Sequence, residues 1–437
     1  MLDLTRDRLL PVYLRYLSAA FGSAFLTSVY WVVDMAMVGQ YQGPSGTAAL
    51  SIVSPVWNII ISIGSLTGIG GSVLFAAGEG RKRGEGTVYF TVSIISSALI
   101  ALSLWALLAF KDEAVLRASG ADGELLPLAL RYLFPVKCVV PVFLFNPVLA
   151  AFLRNDRSPG LATAAVVIGG VFNIFGDWFF IFFLDYGIMG AGLATGLGSI
   201  VTLSVMLTHF RDPGNTLKLE KPVCFLKRLK ETAVTGFPTF FLDLALALLT
   251  VLFNHQILRY LGVTELAVYG LIMNISTFVQ CSAAGVGQAS QPIISANLGA
   301  RRAERIREVI RYAFLTIILL GAFWLSLSLA FPEGYVRVYM KPTEEVLAVA
   351  PSAIRAYSLS FPLLLVNIFS AYCLQALLVP GAAFLLSILR GCVLSGILVL
   401  ALPLVAGPGA IWYVMPLTEA AVAVFAIWKL ASLSRKL

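Results

Sequence analysis

Charge is scarce in this chain. Asp, Glu, Lys and Arg make up 12% of its 437 residues, while hydrophobic residues make up 59%. A soluble domain keeps roughly a quarter of its residues charged, so a water-soluble globule is excluded. Histidine is nearly absent (His209 and His255 only), and the five cysteines, Cys138, Cys224, Cys281, Cys373 and Cys392, show no CxxC spacing and mostly fall inside apolar runs. That pattern argues against a disulfide framework or a zinc site. No GxSxG, HExxH, Walker A or GxGxxG motif stands in a suitable context, which argues against a membrane enzyme and against an ATP-driven pump, and calls for no cofactor. The N-terminus, MLDLTRDRLL, lacks a cleavable signal pattern, so the first apolar segment is expected to remain in the mature protein. The short alternation of a transmembrane barrel is missing too, because the apolar runs are long and continuous.

What is present is a series of such runs, with a mean hydropathy of +0.89. At about 20 apolar residues per crossing, they read as twelve spans. Their extents are 12–38, 46–78, 88–110, 127–153, 158–184, 188–210, 236–261, 266–297, 307–331, 346–375, 378–404 and 408–430. The fold class is therefore an all-α polytopic membrane protein. Pro55, Pro141, Pro292 and Pro362 fall inside spans and are expected to kink them, since neighbouring helices can satisfy the freed backbone groups. The formal charge of +8 would raise the question of nucleic acid in a soluble protein. Here it sits in short loops, where it sets orientation. Arg6, Arg8, Arg81, Lys82, Arg83, Arg154, Arg157, six Lys/Arg between 211 and 230, five between 301 and 311, Arg435 and Lys436 fall on one side. The other side holds Lys111, Arg117, Arg259, Arg337 and Lys341. Both termini are thus expected in the cytoplasm of a cell with the chain in its inner membrane.

The two halves repeat. GEGRKRGEG after span 2 resembles NLGARRAER after span 8, with Gly80 and Gly299 219 positions apart. Ala191 and Ala410 share that spacing, and Pro141 and Pro362 are separated by 221. Six spans per unit start both units on the same side, so the repeats are parallel and the interface between them is the expected substrate route. The expected division is an N-lobe over 1–210, a cytoplasmic linker over 211–235 whose CFLKRLKETAV stretch reads as a basic surface helix, and a C-lobe over 236–437.

One stretch stands out: NIFGDWFFIFF, Asn173 to Phe183, which carries Asn173 and Asp177 at i and i+4 in an apolar span. Span 1 carries Asp34 with Tyr30 and Thr27 on the same face, and span 6 carries Ala191 and Thr195, again at i and i+4. An amide, two carboxylates, a hydroxyl and a backbone carbonyl make an all-oxygen set. Such a set suits a hard cation, or a proton on a buried carboxylate. The plainer alternative is hydrogen-bond glue between helices. Two carboxylates in apolar spans weigh against it, because ionisable groups there are costly and mark ion or proton routes. The second half does not repeat the set: Cys392 and Gly396 stand where Asn173 and Asp177 would fall. Arg390 and Glu419 read first as a bracing pair, Lys137 and Arg131 as snorkelling side chains, and Asp243 as a partly solvated residue near the start of span 7.

With these residues in view, the chain resembles the multidrug and toxic compound extrusion (MATE) transporters along nearly its whole length. The resemblance rests on VDMAMVGQYQGPSGTAAL, GIGGSVLFAAGEGRKRGEG, NIFGDWFFIF followed by YGIMGAGLAT, GQASQPIISANLGARRAERI and MPLTE, in that order. It implies a two-lobed exporter of organic, often cationic, amphiphiles in exchange for Na⁺ or H⁺. It implies a cation site at Asp34, Asn173, Asp177, Ala191 and Thr195, with Tyr30, Tyr132 and Asn146 at positions of the substrate cavity. The implied partners are small organic molecules and the lipid bilayer, not nucleic acid, for a chain acting as a monomer. Two features depart from relatives. Span 1 has only Pro11, at its start, and span 10 has no acidic residue, which argues against a second cation site in the C-lobe. The competing reading is a flippase for a lipid-linked saccharide from the same superfamily. That activity calls for several cavity arginines to hold phosphate, and the central spans offer few.

Overall fold

The structure is a computed structural model. It describes residues 4–81, 84–119, 121, 125–222, 224–339 and 344–434, with the side chains of 23–32, 43–45, 47, 48, 51, 55, 243, 247, 263, 267, 339 and 434 outside the description. Among the described residues there is no strand, and the chain is an all-α membrane protein. Among the described residues nine helices are long and apolar enough to cross a bilayer, or eleven if each of two bent pairs counts as one span. The middle of the expected span 1, residues 23–32, has its side chains outside the description.

The helices follow in order. α1 (Leu9–Arg81) is one assigned helix covering the two expected spans 12–38 and 46–78. α2 is Thr87–Ala118. α3 (Leu125–Lys137) and α4 (Val140–Asn155) form a pair bent by 60°. α5 (Pro159–Asp177) runs into a π-helical turn, Trp178–Phe183, and α6 is Ile188–Leu207. α7 (Phe225–Tyr260), α8 (Val263–Gly299), α9 (Ala303–Ala330) and the short α10 (Pro332–Tyr339) follow. α11 (Glu344–Ser358) and α12 (Phe361–Ala376) meet at 42°. α13 (Pro380–Ile388), a π turn at Leu389–Val393 and α14 (Leu394–Ala406) form one span, and α15 (Val414–Ser434) closes the chain.

The repeat seen in the sequence is written into the backbone. The two bends fall at Pro141 and Pro362, each at the start of its second segment, where a proline needs no intrahelical donor. Each of the two spans that begin at Pro159 and Pro380 contains a π turn. Left-handed residues recur at matching places: Arg157 (φ 64°) with Leu378 (φ 57°), and Gly187 (φ 55°) with Gly407 (φ 86°). Pro292 lies inside α8 without breaking it.

The chain divides into two compact units. One comprises Met1–Asp7, Ser18–Phe240 and Ser295–Arg301, the other Arg8–Leu17, Phe241–Ile294 and Arg302–Leu437. The division differs from a simple cut at the linker, because the start of α1 clusters with the second unit and the end of α8 with the first. The basic stretch is not a separate surface helix. Lys227, Arg228 and Lys230 form the opening turns of the 36-residue α7. Gly236 and Pro238 fall inside the same helix without ending it, and Thr232 and Thr235 are buried. Arg228 stacks on the Tyr89 ring (4.9 Å to the centroid), and the Tyr89 hydroxyl donates to Glu231 at 2.7 Å. The residues before α7 are tied down as well. Asp156, at the end of α4, accepts from His209 Nε2 at 2.6 Å and from the Thr216 amide at 3.0 Å, and it also bonds the Thr216 hydroxyl.

Candidate functional site

Close backbone approach assembles the site in the first unit. α5 and α6 meet along small residues. A methyl group on Gly198 of α6 would lie 3.0 Å from the Gly169 carbonyl oxygen and 3.1 Å from Asn173 Cβ, and one on Gly176 would lie 3.0 Å from Ala194 Cβ. Small residues of this kind let membrane helices come near enough for their polar side chains to meet. Asn173 accordingly donates from Nδ2 to Thr195 Oγ1 at 3.4 Å, a long but real contact across the helix pair. Gly192 does the same for the bent pair: a methyl there would fall 2.3 Å from the Tyr132 carbonyl oxygen. That packing sets Tyr132 within hydrogen-bonding reach of Thr195 and within the field of both Asp34 and Asp177.

The burial of this group is deep. Asp34 and Asn173 are each 4% exposed and Asp177 is fully buried, as is Ala191. Asp34 and Asp177 are near enough for each carboxylate to act on the other. Four acceptor oxygens of the group, Asp34 Oδ1, Asn173 Oδ1 and both oxygens of Asp177, are buried with no donor. No described Lys, Arg or His forms an ion pair with either acid. A buried carboxylate without a partner costs at least about 2.5–3.5 kcal/mol at the centre of a membrane helix. Hydrogen-bond glue would leave the oxygens paired with donors. The arrangement instead concentrates acceptors and negative charge on one spot, which is what a hard cation or a proton satisfies. The π turn that follows Asp177 adds to this reading, since such turns cluster at functional sites in helices.

The structure therefore gathers Asp34, Asn173, Asp177, Ala191, Thr195 and Tyr132 in one unit. Asn146 of α4 reaches α6 further along, its Nδ2 donating to the Ser199 carbonyl at 3.3 Å, one turn from Thr195, with its own Oδ1 buried and free of any donor. The side chains of Tyr30, Thr27 and Asp243 lie outside the described residues. Trp57 was not singled out from sequence. It is 2% exposed and its indole lies within hydrogen-bonding reach of the Tyr132 hydroxyl. A tryptophan in an apolar run carries no signal that distinguishes it from a lipid-facing one.

The second unit holds a different centre. Arg390 Nε donates to Glu419 Oε1 at 2.6 Å, with both side chains at most 1% exposed. Asn367 of α12 donates from Nδ2 to Glu419 Oε2 at 2.6 Å and to the Glu419 carbonyl at 2.9 Å. The expected bracing pair is thus present, with a third member that its spacing in sequence does not reveal. Lys137, expected to snorkel, pairs with Asp112 at 2.6 Å.

Comparison with known proteins places this geometry. The sequence profile of the MatE family matches residues 19–179 and 238–399, once in each half. Multidrug export protein MepA of Staphylococcus aureus (strain NCTC 8325 / PS 47) is 24% identical over 398 residues, which span 89% of this chain and 86% of that protein. MepA of Staphylococcus saprophyticus is 22% identical over 317 residues, 71% of this chain and 69% of that protein. Among solved structures, an outward-facing multidrug resistance MATE family transporter of the MOP superfamily superposes with a TM-score of 0.91 at 21% identity, over 99% of this chain and 98% of that one. A MOP superfamily transporter from Pyrococcus furiosus, whose binding pocket is described as reversed in polarity, gives 0.90 at 21% identity, over 99% and 97%.

Proposed function

Because the chain belongs to the MatE family, and is by that membership a membrane transporter rather than an enzyme, we propose that it is a secondary active exporter of organic, often cationic, amphiphiles that uses Na⁺ as its coupling ion, with H⁺ competing for the same residues. Asp34 and Asp177 carry the charge that holds the ion. Asn173 Oδ1 and Thr195 add neutral oxygens, and the Ala191 carbonyl completes the set. Tyr132 and Asn146 line the substrate path beside it. The observation that carries this reading is the group of four buried, donor-free oxygens around two carboxylates without a counter-ion.

The ion set explains coupling in simple terms. An ion and a cargo exchange if each favours a different conformation of the protein. Na⁺ needs several oxygen ligands at once, so it favours the conformation in which all of them converge. Protonating either carboxylate removes a ligand, so Na⁺ affinity falls as pH falls. In this reading the protein sits in the cell's inner membrane with both termini in the cytoplasm, as its Lys/Arg distribution demands, and acts as a monomer.

The test is transport in proteoliposomes. A fluorescent or radiolabelled panel of organic cations should be exported faster with an inward Na⁺ gradient at fixed pH than without one. Cargo movement that needs no ion gradient, or that is confined to lipid-linked saccharides, would contradict the reading.

A further inference from the structure

The second unit contains a small cavity whose chemistry is opposite to that of the acidic site. It has a volume of about 20 Å³ and is bordered by Arg390 together with Thr250, Ser276, Gln280, Tyr357 and Tyr269, over an apolar floor that includes Leu249 and Phe253. Among the described residues, no carboxylate borders it. Glu419 lies behind Arg390, and both of its oxygens already accept short bonds, from Arg390 Nε and Asn367 Nδ2. Arg390 is not saturated in return. Its Nη1 is buried with no acceptor, in a side chain that is 1% exposed. Ser276 Oγ is buried within hydrogen-bonding reach of the Tyr357 hydroxyl. Thr250 gives its hydroxyl proton to the Leu246 carbonyl at 2.9 Å.

A buried guanidinium N–H without an acceptor is costly, and such groups in native proteins find one. The bordering polar groups can all donate: a guanidinium, the Gln280 amide and the hydroxyls of Ser276, Tyr269 and Tyr357, while Thr250 and Ser360 give their protons to backbone carbonyls. The π turn at Leu389–Val393 holds Arg390 there by widening the helix at that point. We propose that this cavity binds a small monovalent anion through Arg390 Nη1 and the hydroxyls of Ser276 and Tyr357: chloride, or the carboxylate end of a longer amphiphile. A phosphate or pyrophosphate group fits less well. Arg390 already faces the full negative charge of Glu419, so the cavity holds an anion by N–H and O–H donation, and a second negative charge on the ligand would stand uncompensated in an apolar setting. The role of a carboxylate ligand as cargo rests on the export reading above, but its binding to the purified protein does not.

The experiment measures thermal stability of the full-length protein in detergent, in potassium salts so that the acidic site receives no Na⁺. Potassium chloride and potassium benzoate are each titrated against potassium methanesulfonate at equal ionic strength, with benzamide as the neutral isostere. The wild type should show a saturable rise in Tm with chloride, with benzoate or with both, and none with benzamide. A response to chloride alone assigns the site to the inorganic ion. A response to benzoate assigns it to carboxylates. Arg390→Lys keeps a cation beside Glu419 but cannot supply Nε and Nη1 together, and should weaken the anion about 10- to 100-fold. Ser276→Ala, which leaves the ion pair whole, should weaken it about 3- to 10-fold. Asp34→Asn should leave the anion response intact, so a failed cation site and a failed anion site are told apart. No saturable response to either anion, or unchanged anion affinity in both Arg390→Lys and Ser276→Ala, overturns the proposal and leaves a cavity filled by water. If Arg390→Lys does not fold, Ser276→Ala and Gln280→Leu decide, and unchanged affinity in both overturns it.

Discussion

Gly80 and Gly299 stand in reciprocal contact. A methyl group on Gly80 would fall 2.0 Å from the carbonyl oxygen of Ala296, and one on Gly299 would fall 2.0 Å from that of Ala77. The two pairs are related by the same spacing that relates the halves of the sequence, 219 positions. The ends of α1 and α8 therefore cross with their backbones touching, and only a residue without a side chain fits at either place. Gly80→Leu or Gly299→Leu should each remove most folded protein, as overpacking against backbone costs more than the about 1–3 kcal/mol of an ordinary overfilled core. Gly160→Ala, where a methyl meets nothing within 4 Å, is the matched control. It should leave folded yield and Tm unchanged or slightly raised in fluorescence-detected size exclusion.

The clasp at the end of α4 yields a second expectation. Asp156 is 3% exposed and His209 is 2% exposed, so Asp156→Ala strands the imidazole and the Thr216 amide in a buried place. Each buried polar group left without its hydrogen-bond partner costs about 1–3 kcal/mol. The segment between α6 and α7 should loosen before the bundle does. Limited trypsin digestion should then cut at Lys218 and Lys221 at least several times faster than in the wild type, and an unchanged rate would show that the clasp does not hold the linker.

Glu419→Ala should be more damaging than the pair of changes Arg390→Met and Glu419→Leu together. The single variant leaves a buried guanidinium uncompensated, whereas replacing both members by apolar groups removes the need for compensation. The comparison is of expression and Tm, and a double variant less stable than Glu419→Ala would mean that the pair contributes more than it costs to bury.

Orientation follows from the Lys/Arg asymmetry. A cysteine placed at Lys218 in a variant with Cys138, Cys224 and Cys392 removed, the three that are exposed, should resist a membrane-impermeant maleimide in intact cells and react after permeabilisation. Labelling in intact cells would reverse the assigned topology.

Much of this was legible in the chain itself. Long apolar runs marked the spans, Pro141 and Pro362 marked the bends, and Asp34, Asn173 and Asp177 stood out because oxygens are rare in such runs. What was hidden depends on tertiary register. Nothing in WFFIFF or LRGCV announces a π turn, since that state adds one residue to a helical turn in answer to packing on its neighbours. Arg157 and Leu378 adopt left-handed φ at the same step of each repeat, yet neither residue type signals it. The basic stretch over 224–234 looked like a surface helix because its charge suggests one. Its contact with Tyr89, through Arg228 and Glu231, is made by a partner more than a hundred positions away. Asn367 was passed over for the same reason: its importance lies in Glu419, on another helix.

The central claim is that Asp34, Asn173, Asp177 and Thr195 form a Na⁺ site that protons contest. The most direct measurement is Na⁺-dependent thermal stabilisation of the purified protein across pH, set against K⁺ at equal ionic strength. The account predicts a saturable rise in Tm with Na⁺ at neutral and higher pH that fades as pH falls, as protonation takes away a ligand. The rise should be abolished in Asp34→Asn and Asp177→Asn and need about tenfold more Na⁺ in Asn173→Ala or Thr195→Ala, the loss of one ligand of several. No stabilisation by Na⁺ at any pH, or the same stabilisation in Asp34→Asn as in the wild type, would contradict it.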